Sequence, residues 1–218
     1  MNNTFVKKED ILENLILRYP CLITCREQII EAFELLKESF QNEKTLYVAG
    51  NGGSASDSEH IVGELMKSFM AKRVLTDDEK KAYIEKYGAE GEKLVECLER
   101  GLPAVSLPSL IALSTAISND VSGEYIFAQT LNSISKAGDV FLGISTSGNS
   151  KNIVDSFMVA TIKGVKKIGL TGKNPCKMDE MCDVVIHVPE TETYKIQELH
   201  LPVYHAICAM LESEFFGK

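Results

Sequence analysis

The sequence predicts a doubly wound α/β fold with a mostly parallel sheet of five strands. Short apolar runs alternate with segments of helical periodicity, a pattern typical of parallel sheets covered by helices. Two of these apolar runs lead through a loop rich in Gly or Ser directly into a helix. Right-handed connections between such strands place helices on both faces of the sheet. An N-terminal helical arm and a long C-terminal helix complete the predicted fold.

The first predicted strand, residues 45–49, ends in a loop that contains Gly50, Gly52 and Gly53. Glycines let a ligand approach the backbone closely, and the amino end of the next helix attracts an anion. Residues of helix-capping types follow, at Ser54, Ser56 and Asp57. The loop has neither the Gly-Lys-Ser/Thr ending of a P-loop nor dinucleotide-binding spacing, so nucleotide binding is not favoured.

His60 and Glu64 stand four residues apart in the helix that follows this loop, so both project from one face. A His/Glu pair at this spacing is usually a surface pair. Its position next to a predicted anion-binding loop favours a functional role here.

Length and composition predict one large domain over residues 1–218, since two ordinary domains need a longer chain. A formal net charge of −8 argues against non-specific binding to nucleic acid or to an anionic membrane. The most apolar stretch, residues 103–117, is too short to span a bilayer. The six cysteines show no CxxC pair, which favours reduced thiols in a cytoplasmic protein.

The N-terminal arm, residues 1–42, contains helical periodicity from about Lys8 to Asn42. Pro20 is predicted to divide this stretch into two helices. The apolar stripe of the arm must pack on the domain or on a partner subunit, so an oligomer is plausible.

A charged insertion, residues 73–101, follows the helix of His60 and Glu64. Its apolar spacing predicts two short helices broken at Gly88 and Gly91. A solvated surface insertion is the favoured interpretation, and a lid or an interface is the alternative.

The second predicted strand, residues 104–107, is followed by a helix over residues 110–118. Asn119 and Asp120 come after this helix, and by position alone they are ordinary helix-end residues. Another helix is predicted from about Tyr125 to Ser135.

A second loop of interest follows the buried strand that begins near Asp139. Its hydroxyl groups precede a helix and suit phosphate oxygens; they belong to Ser145, Thr146, Ser147 and Ser150. In the alternative interpretation, Ser147, Asn149 and Ser150 only cap the helix. Two such loops on one sheet favour the anion-binding interpretation.

The last two strands are predicted at residues 166–171 and 183–188, with a short helix around 177–181 between them. The C-terminal helix, residues 194–216, carries Gln197, Glu198, His200 and His205. Helical spacing alone slightly favours Glu198 over Gln197 as the partner of His205.

Taken together, these motifs resemble the sedoheptulose-7-phosphate (phosphoheptose) isomerases of the SIS, or sugar isomerase, family, which have a flavodoxin-like sheet. The resemblance runs from about residue 28 to the C-terminus, apart from the insertion. It rests on the segments Gly50–Ser54, His60–Glu64, Asn119–Asp120, Gly143–Ser150, Leu170–Lys173 and Ile196–His205.

The resemblance implies a role for each matching residue. It implies Glu64 as the catalytic base and His205 as the acid in a ketose–aldose isomerisation through an enediol, in heptose biosynthesis. It implies that zinc, one per subunit, is held by His60, Glu64, Gln197 and His205, which favours Gln197 over Glu198. The implied contacts to the phosphorylated sugar are Asn51, Gly52, Gly53, Glu64, Asn119, Asp120, Ser145, Thr146, Ser147, Ser150 and Gln197. A homotetramer with its sites at subunit interfaces is also implied.

Two positions depart from the family pattern, where an arginine is replaced by Ser68 and an acidic residue by Tyr194. Because of these two differences, two alternatives to a heptose phosphate isomerase stay open. One is an isomerase of another sugar phosphate. The other is a non-catalytic SIS module that binds a phosphosugar or, like a related protein, the bacterial replication initiator.

Overall fold

The computed structural model describes residues 5–217. Residues 1–4 and 218, which belong to the predicted domain and arm, lie outside the described residues. Five parallel strands form one sheet in the order β2-β1-β3-β4-β5. The strands are β1 (Leu46–Gly50), β2 (Ala104–Ser106), β3 (Val140–Ile144), β4 (Lys166–Thr171) and β5 (Val184–His187). The predicted doubly wound sheet is therefore confirmed.

Nine α-helices are present among residues 5–217. They are α1 (Lys8–Arg18), α2 (Arg26–Gln41), α3 (Gly53–Met66), α4 (Asp77–Tyr87), α5 (Ala89–Cys97), α6 (Ile111–Asp120), α7 (Ile126–Ile134), α8 (Lys151–Lys163) and α9 (Thr193–Phe216). Short 3-10 segments occur at Pro20–Cys25, Leu107–Ser109, Gly123–Tyr125 and Lys177–Glu180. The segment that starts at Pro20 separates α1 from α2, as predicted.

Alternate residues of the strands face two apolar layers. On one face, residues such as Val48 and Leu142 pack with the core of α1, α2, α3 and α9. On the other face, residues such as Ala49 and Phe141 pack with α7 and α8. The sheet is thus buried on both sides, which explains why its strands read as continuous apolar runs.

The order of the strands reverses between β1 and β3, which lie side by side with Gly50 opposite Ile144. In open α/β sheets, ligands bind outside the carboxyl ends of the strands at such a reversal. The glycine loop leaves β1 and the serine loop leaves β3 at this point. The fold therefore brings the two predicted anion-binding loops together.

The charged insertion forms a helical pair, α4 and α5, and the two ends of the insertion pair with each other at its base. Val74 and Glu99 form an antiparallel bridge there, and the Arg100 N–H donates to the Arg73 carbonyl at 2.8 Å. α4 buries no residue and α5 buries only Gly91. The predicted break at Gly88 is confirmed, but the predicted break at Gly91 is wrong. A Cβ at residue 91 would lie 2.3 Å from the Tyr83 carbonyl oxygen, so this glycine permits close helix packing.

Two details of the first loop also differ from the prediction. α3 begins at Gly53 with Gly52 at its N-cap, where φ is +57°. Ser54, Ser56 and Asp57 therefore lie within the helix and do not cap it. Positive φ at residue 52 requires glycine, and this loop conformation starts the helix earlier than the capping residues suggested.

Candidate active site

The centre of the candidate site is formed by side chains of α3 and α9. His60 Nε2 lies 3.2 Å from Glu64 Oε1, as expected for residues four apart on one helical face. His205 Nε2 approaches His60 Nε2 to 3.4 Å from α9. The structure thus brings together the predicted base, the predicted acid and one further predicted metal ligand.

A relay that the sequence did not predict fixes the orientation of His60. The Tyr204 hydroxyl donates to Asp57 Oδ1 at 3.1 Å, and its oxygen lies 3.0 Å from His60 Nδ1. Because the hydroxyl proton points at the carboxylate, Nδ1 must be the donor to the Tyr204 oxygen. A neutral His60 then presents the lone pair of Nε2 to Glu64 and His205.

This arrangement fits a bound cation. The lone pair of His60 faces the Glu64 carboxylate on one side and the His205 ring nitrogen on the other, and two acceptors 3.2 Å apart repel unless a positive charge lies between them. Glu64 Oε2 is buried and has no hydrogen-bond partner. A ring whose second nitrogen is held by a hydrogen bond is the usual form of a metal-binding histidine. The donor set therefore suits zinc, which favours imidazole and carboxylate ligands.

The protonation of His205 also suits this role. Burial, together with the neighbouring His60, lowers the pKa of His205 below its ordinary value of 6.5. Near neutral pH the ring is therefore uncharged, the form that binds metal ions and that can polarise a carbonyl group.

Gln197 joins this centre to the glycine loop. A Cβ at residue 53 would lie 2.7 Å from Gln197 Nε2, so the amide packs directly on Gly53. Gln197 is half-buried, whereas the side chain of Glu198 is exposed. On α9 a separation of eight residues corresponds to a rise of about 12 Å, a span that the Gln197 and His205 side chains can bridge by reaching towards a shared ion.

The serine loop forms a compact hydroxyl cluster at the other end. Ser145 Oγ lies 2.9 Å from Ser150 Oγ and 3.4 Å from Ser147 Oγ. Ser150 occupies the N-cap of α8 but makes no side-chain capping bond. Ser147 Oγ accepts from the Asn149 N–H at 3.2 Å in the preceding turn, whereas helix capping does not account for the hydroxyl group of Ser150.

Next to this cluster lies a cavity of about 350 Å³ between the serine loop, the loop after β4 and the start of α9. Thr146 and Ser147 line it, together with the cationic side chain of Lys173 and the anionic side chain of Glu190. The glycine loop is joined to the first turn of α8, which follows the serine loop, by two hydrogen bonds of 2.9 and 2.8 Å between the amides of Asn51 and Asn152. This cavity has the size and polarity for a phosphorylated fragment.

Asn119 and Asp120 are the last two residues of α6, and both side chains are exposed. The Asn119 amide donates to Asp120 Oδ1 at 2.8 Å, and neither side chain forms a hydrogen bond to the other predicted site residues. Their predicted contact with the sugar stays a prediction.

Two cationic side chains, Lys67 and Arg73, lie close in the chain to Ser68, which replaces the family arginine, and their environments differ. Lys67 Nζ lies 3.8 Å from Glu64 Oε2 and is largely exposed. Arg73 is buried, pairs with Glu212 at 2.7 Å, and donates to the carbonyls of Glu64 and Leu65 at the end of α3. Arg73 therefore holds the helix that carries Glu64, and Lys67 is the cation beside its carboxylate.

Sequence comparison relates the chain to known proteins. A family model described as SIS domain matches residues 84–172. The chain is 37% identical over 191 residues to a phosphoheptose isomerase from Geotalea daltonii, with 88% of this chain and 86% of the relative covered. It is 36% identical over 204 residues to a phosphoheptose isomerase from Aneurinibacillus thermoaerophilus, with 89% and 90% covered.

The same relationship is found among solved structures. Phosphoheptose isomerase from Neisseria gonorrhoeae superposes with a TM-score of 0.69 at 28% identity, over 94% of this chain and 91% of that one. Identity above one third across nearly the whole chain, together with this fold, shows common descent. The chain is an isomerase that belongs to the phosphoheptose isomerase family of SIS-domain proteins.

Proposed function

We propose that this chain interconverts sedoheptulose 7-phosphate and D-glycero-D-manno-heptose 7-phosphate through an enediol. The observation that carries this proposal is that Glu64 and His205 both contact His60, in the helix that follows the glycine loop at the reversal point of the sheet. The names of the relatives support a heptose phosphate as the substrate class.

In the proposed reaction, the hydroxyl groups of the serine loop bind the phosphate through Ser145, Thr146, Ser147 and Ser150. The sugar chain lies along α9 and contacts Asn51, Gly52, Gly53 and Gln197. Asn119 and Asp120 contribute further sugar contacts.

Proton transfer is assigned to two side chains. Glu64 takes a proton from C1 of the ketose while His205 supplies a proton to the carbonyl oxygen at C2, so that the C1–C2 double bond of the enediol forms. Glu64 then returns its proton to C2, and the C1 hydroxyl gives its proton to His205 as the C1 carbonyl forms. The unpartnered Glu64 Oε2 supports its role as the base.

We infer that His60, Glu64, Gln197 and His205 would hold one zinc ion per subunit. When bound, zinc supplies Lewis-acid stabilisation of negative charge on the substrate oxygens. The relay from Asp57 through Tyr204 orients His60 for this purpose.

We further propose a single-domain, cytoplasmic protein that forms a homotetramer with sites at subunit interfaces. All six cysteines are free thiols, which suits a reducing compartment. Within residues 5–217, no helix is both long and apolar enough to cross a bilayer. α6 exposes Ile111 (71%) and Leu113 (43%), and such apolar surface supports subunit contacts near Asn119 and Asp120.

The test is conversion of sedoheptulose 7-phosphate by the purified protein, followed by NMR. Glu64→Gln and His205→Asn should each lower kcat by roughly 100-fold or more. Glu198→Gln, which changes an exposed carboxylate beside Gln197, should retain activity. Phosphosugar binding without conversion by the wild-type protein would instead support a non-catalytic module.

A further inference from the structure

A second group of metal-binding side chains lies outside the centre formed by α3 and α9. It consists of Cys176, Asp179 and His187, which come from the 3-10 segment between β4 and β5 and from the end of β5. Within residues 5–217, it is the one group of three His, Cys, Asp or Glu side chains whose ligand atoms all lie within 4.8 Å of one another.

Hydrogen bonds to the backbone hold two of the three side chains in place. His187 Nδ1 lies 2.7 Å from the Gly172 carbonyl oxygen. A carbonyl only accepts, so Nδ1 carries the proton, and a neutral ring presents the lone pair of Nε2 on its other side. Asp179 Oδ2 accepts from the Cys176 N–H at 2.8 Å, which turns Oδ1 towards the other two side chains.

The free atoms of the group converge on one point. Asp179 Oδ1 lies 2.8 Å from His187 Nε2 and 3.5 Å from Cys176 Sγ. The carboxylate oxygen and the lone pair of a neutral imidazole repel at this distance, so a positive charge must lie between them. That charge is either a proton on His187 or a bound cation.

The donor atoms select the kind of cation. Sulfur, nitrogen and oxygen together suit zinc, and tetrahedral zinc places S and O ligands about 3.5 Å apart and N and O ligands about 3.3 Å apart. The S–O distance already matches, and the N–O distance needs to open by about 0.5 Å. Binding would form a Zn–S bond as the thiol proton leaves to solvent.

The group lies behind one wall of the cavity next to the serine loop. A Cβ at Gly148, where φ is +64°, would lie 2.2 Å from Cys176 Sγ. Gly172 and Pro175 line the cavity itself. A metal at this point would fix the loop after β4 against the serine loop.

We propose that Cys176, Asp179 and His187 form a zinc-binding site, separate from the centre of His60 and His205, that fixes the wall of the cavity. The three protein ligands leave one coordination position for water. The inference does not depend on the substrate of the enzyme, because none of these three side chains belongs to the proposed catalytic centre.

The test uses Co²⁺ as a probe, since a thiolate ligand gives Co²⁺ a charge-transfer band in the near ultraviolet and the centre of His60 and His205 contains no cysteine. Metal-free, reduced full-length protein is titrated with CoCl₂, and ZnCl₂ is then added. The wild-type protein should develop the band as one Co²⁺ per chain enters the thiolate site, in addition to any Co²⁺ at the centre of His60 and His205, and Zn²⁺ should abolish it. The band should persist in the double variant His60→Asn with His205→Asn.

The variants identify the ligands. Cys176→Ser should lose the band, and Asp179→Asn, a change at an exposed position that keeps side-chain size, should weaken Co²⁺ binding at least tenfold. Cys182→Ser, a matched change at another half-buried cysteine, should retain the band. No band in the wild-type protein, the result expected if only a proton joins His187 to Asp179, would overturn the proposal. A band that survives in Cys176→Ser would overturn it as well.

Discussion

At the scale of single residues, the chemistry of the site depends on how each imidazole is oriented. His60 is oriented by Tyr204, 144 residues away in the chain, and Tyr204 in turn donates to Asp57. The spacing in the sequence indicates that Asp57 lies near His60, because it is three residues before His60 on the same face of α3. No spacing rule connects either residue to Tyr204, because the contact exists only when α9 packs on α3.

His200 lies on the same helix as His205, but its environment is different. Its ring is fully buried, and neither nitrogen has a well-formed hydrogen bond. Burial lowers its pKa from 6.5 to about 4, an effect that the nearby Thr171 backbone offsets only in part. His200 is therefore neutral in the folded protein at pH 7.

This burial predicts a loss of stability in acid. Between pH 6.5 and about 4 the unfolded chain binds a proton at His200 and the folded chain does not, so the free energy of unfolding falls as the pH falls through this window. The contribution is roughly 3 kcal/mol over the whole window. Urea unfolding at several pH values measures it, and His200→Met should flatten the dependence. An equal acid loss in that variant would contradict the assignment.

At the scale of elements, most of the fold follows from pattern. Strand β4 agrees with its predicted bounds, β1 and β5 differ from theirs by a residue at each end, and β2 ends one residue earlier than predicted. Apolar periodicity determines these elements directly. The pattern carries no information on close approach between elements, so the helix break that it predicts at Gly91 is wrong.

The contact of α9 with the glycine loop gives a prediction. Gly53→Ala would place a methyl group against the Gln197 amide, so the side chain must move and kcat/KM should fall roughly tenfold or more. Gly63→Ala is the matched control in the same helix, because nothing lies within 4 Å of its added Cβ. The control should keep activity and stabilise the helix by up to about 1 kcal/mol. Steady-state kinetics and thermal unfolding of both variants test this; equal kcat/KM in the two would refute the contact.

The buried Arg73–Glu212 pair gives a second prediction for α3. Glu212 also accepts hydrogen bonds from the N–H groups of Phe69, Met70 and Ala71. Arg73→Met should lower the free energy of unfolding by about 3 kcal/mol, because it leaves a buried carboxylate without its cation. Lys81→Met, which removes an exposed ion pair with Glu85, should cost less than about 1 kcal/mol. Urea denaturation compares the two, and similar losses would show that the buried pair has no special role.

At the scale of the whole molecule, the fold brings the two loops of the candidate site together but forms no hydrogen bond from Asn119 or Asp120 to it. Sequence motifs predicted which loops meet at the reversal of the sheet, and the strand order confirms that meeting. Asn119 and Asp120 lie at the exposed end of α6, away from any hydrogen bond to that site. Surfaces that become buried only between subunits leave no periodic signal in the chain, so sequence patterns alone did not place these residues.

The proposed tetramer can be measured directly. Light scattering coupled to gel filtration should give a mass four times that of the 24.1 kDa chain. Ile111→Lys, which adds a charge to the exposed apolar face of α6, should shift the protein to smaller species. Lys81→Met, at a charged exposed position of α4, should leave the mass unchanged. A monomeric wild-type protein would rule out sites shared between subunits.

The most direct test of proton removal by Glu64 is hydrogen exchange at C1 of sedoheptulose 7-phosphate in D₂O, followed by NMR. If Glu64 removes that proton and then exchanges it with solvent, the wild-type protein and Glu198→Gln should place deuterium at C2 of the aldose and at C1 of the recovered ketose, and Glu64→Gln should do neither. Exchange in Glu64→Gln at the wild-type rate, or neither exchange nor conversion by the wild-type protein, would contradict the account.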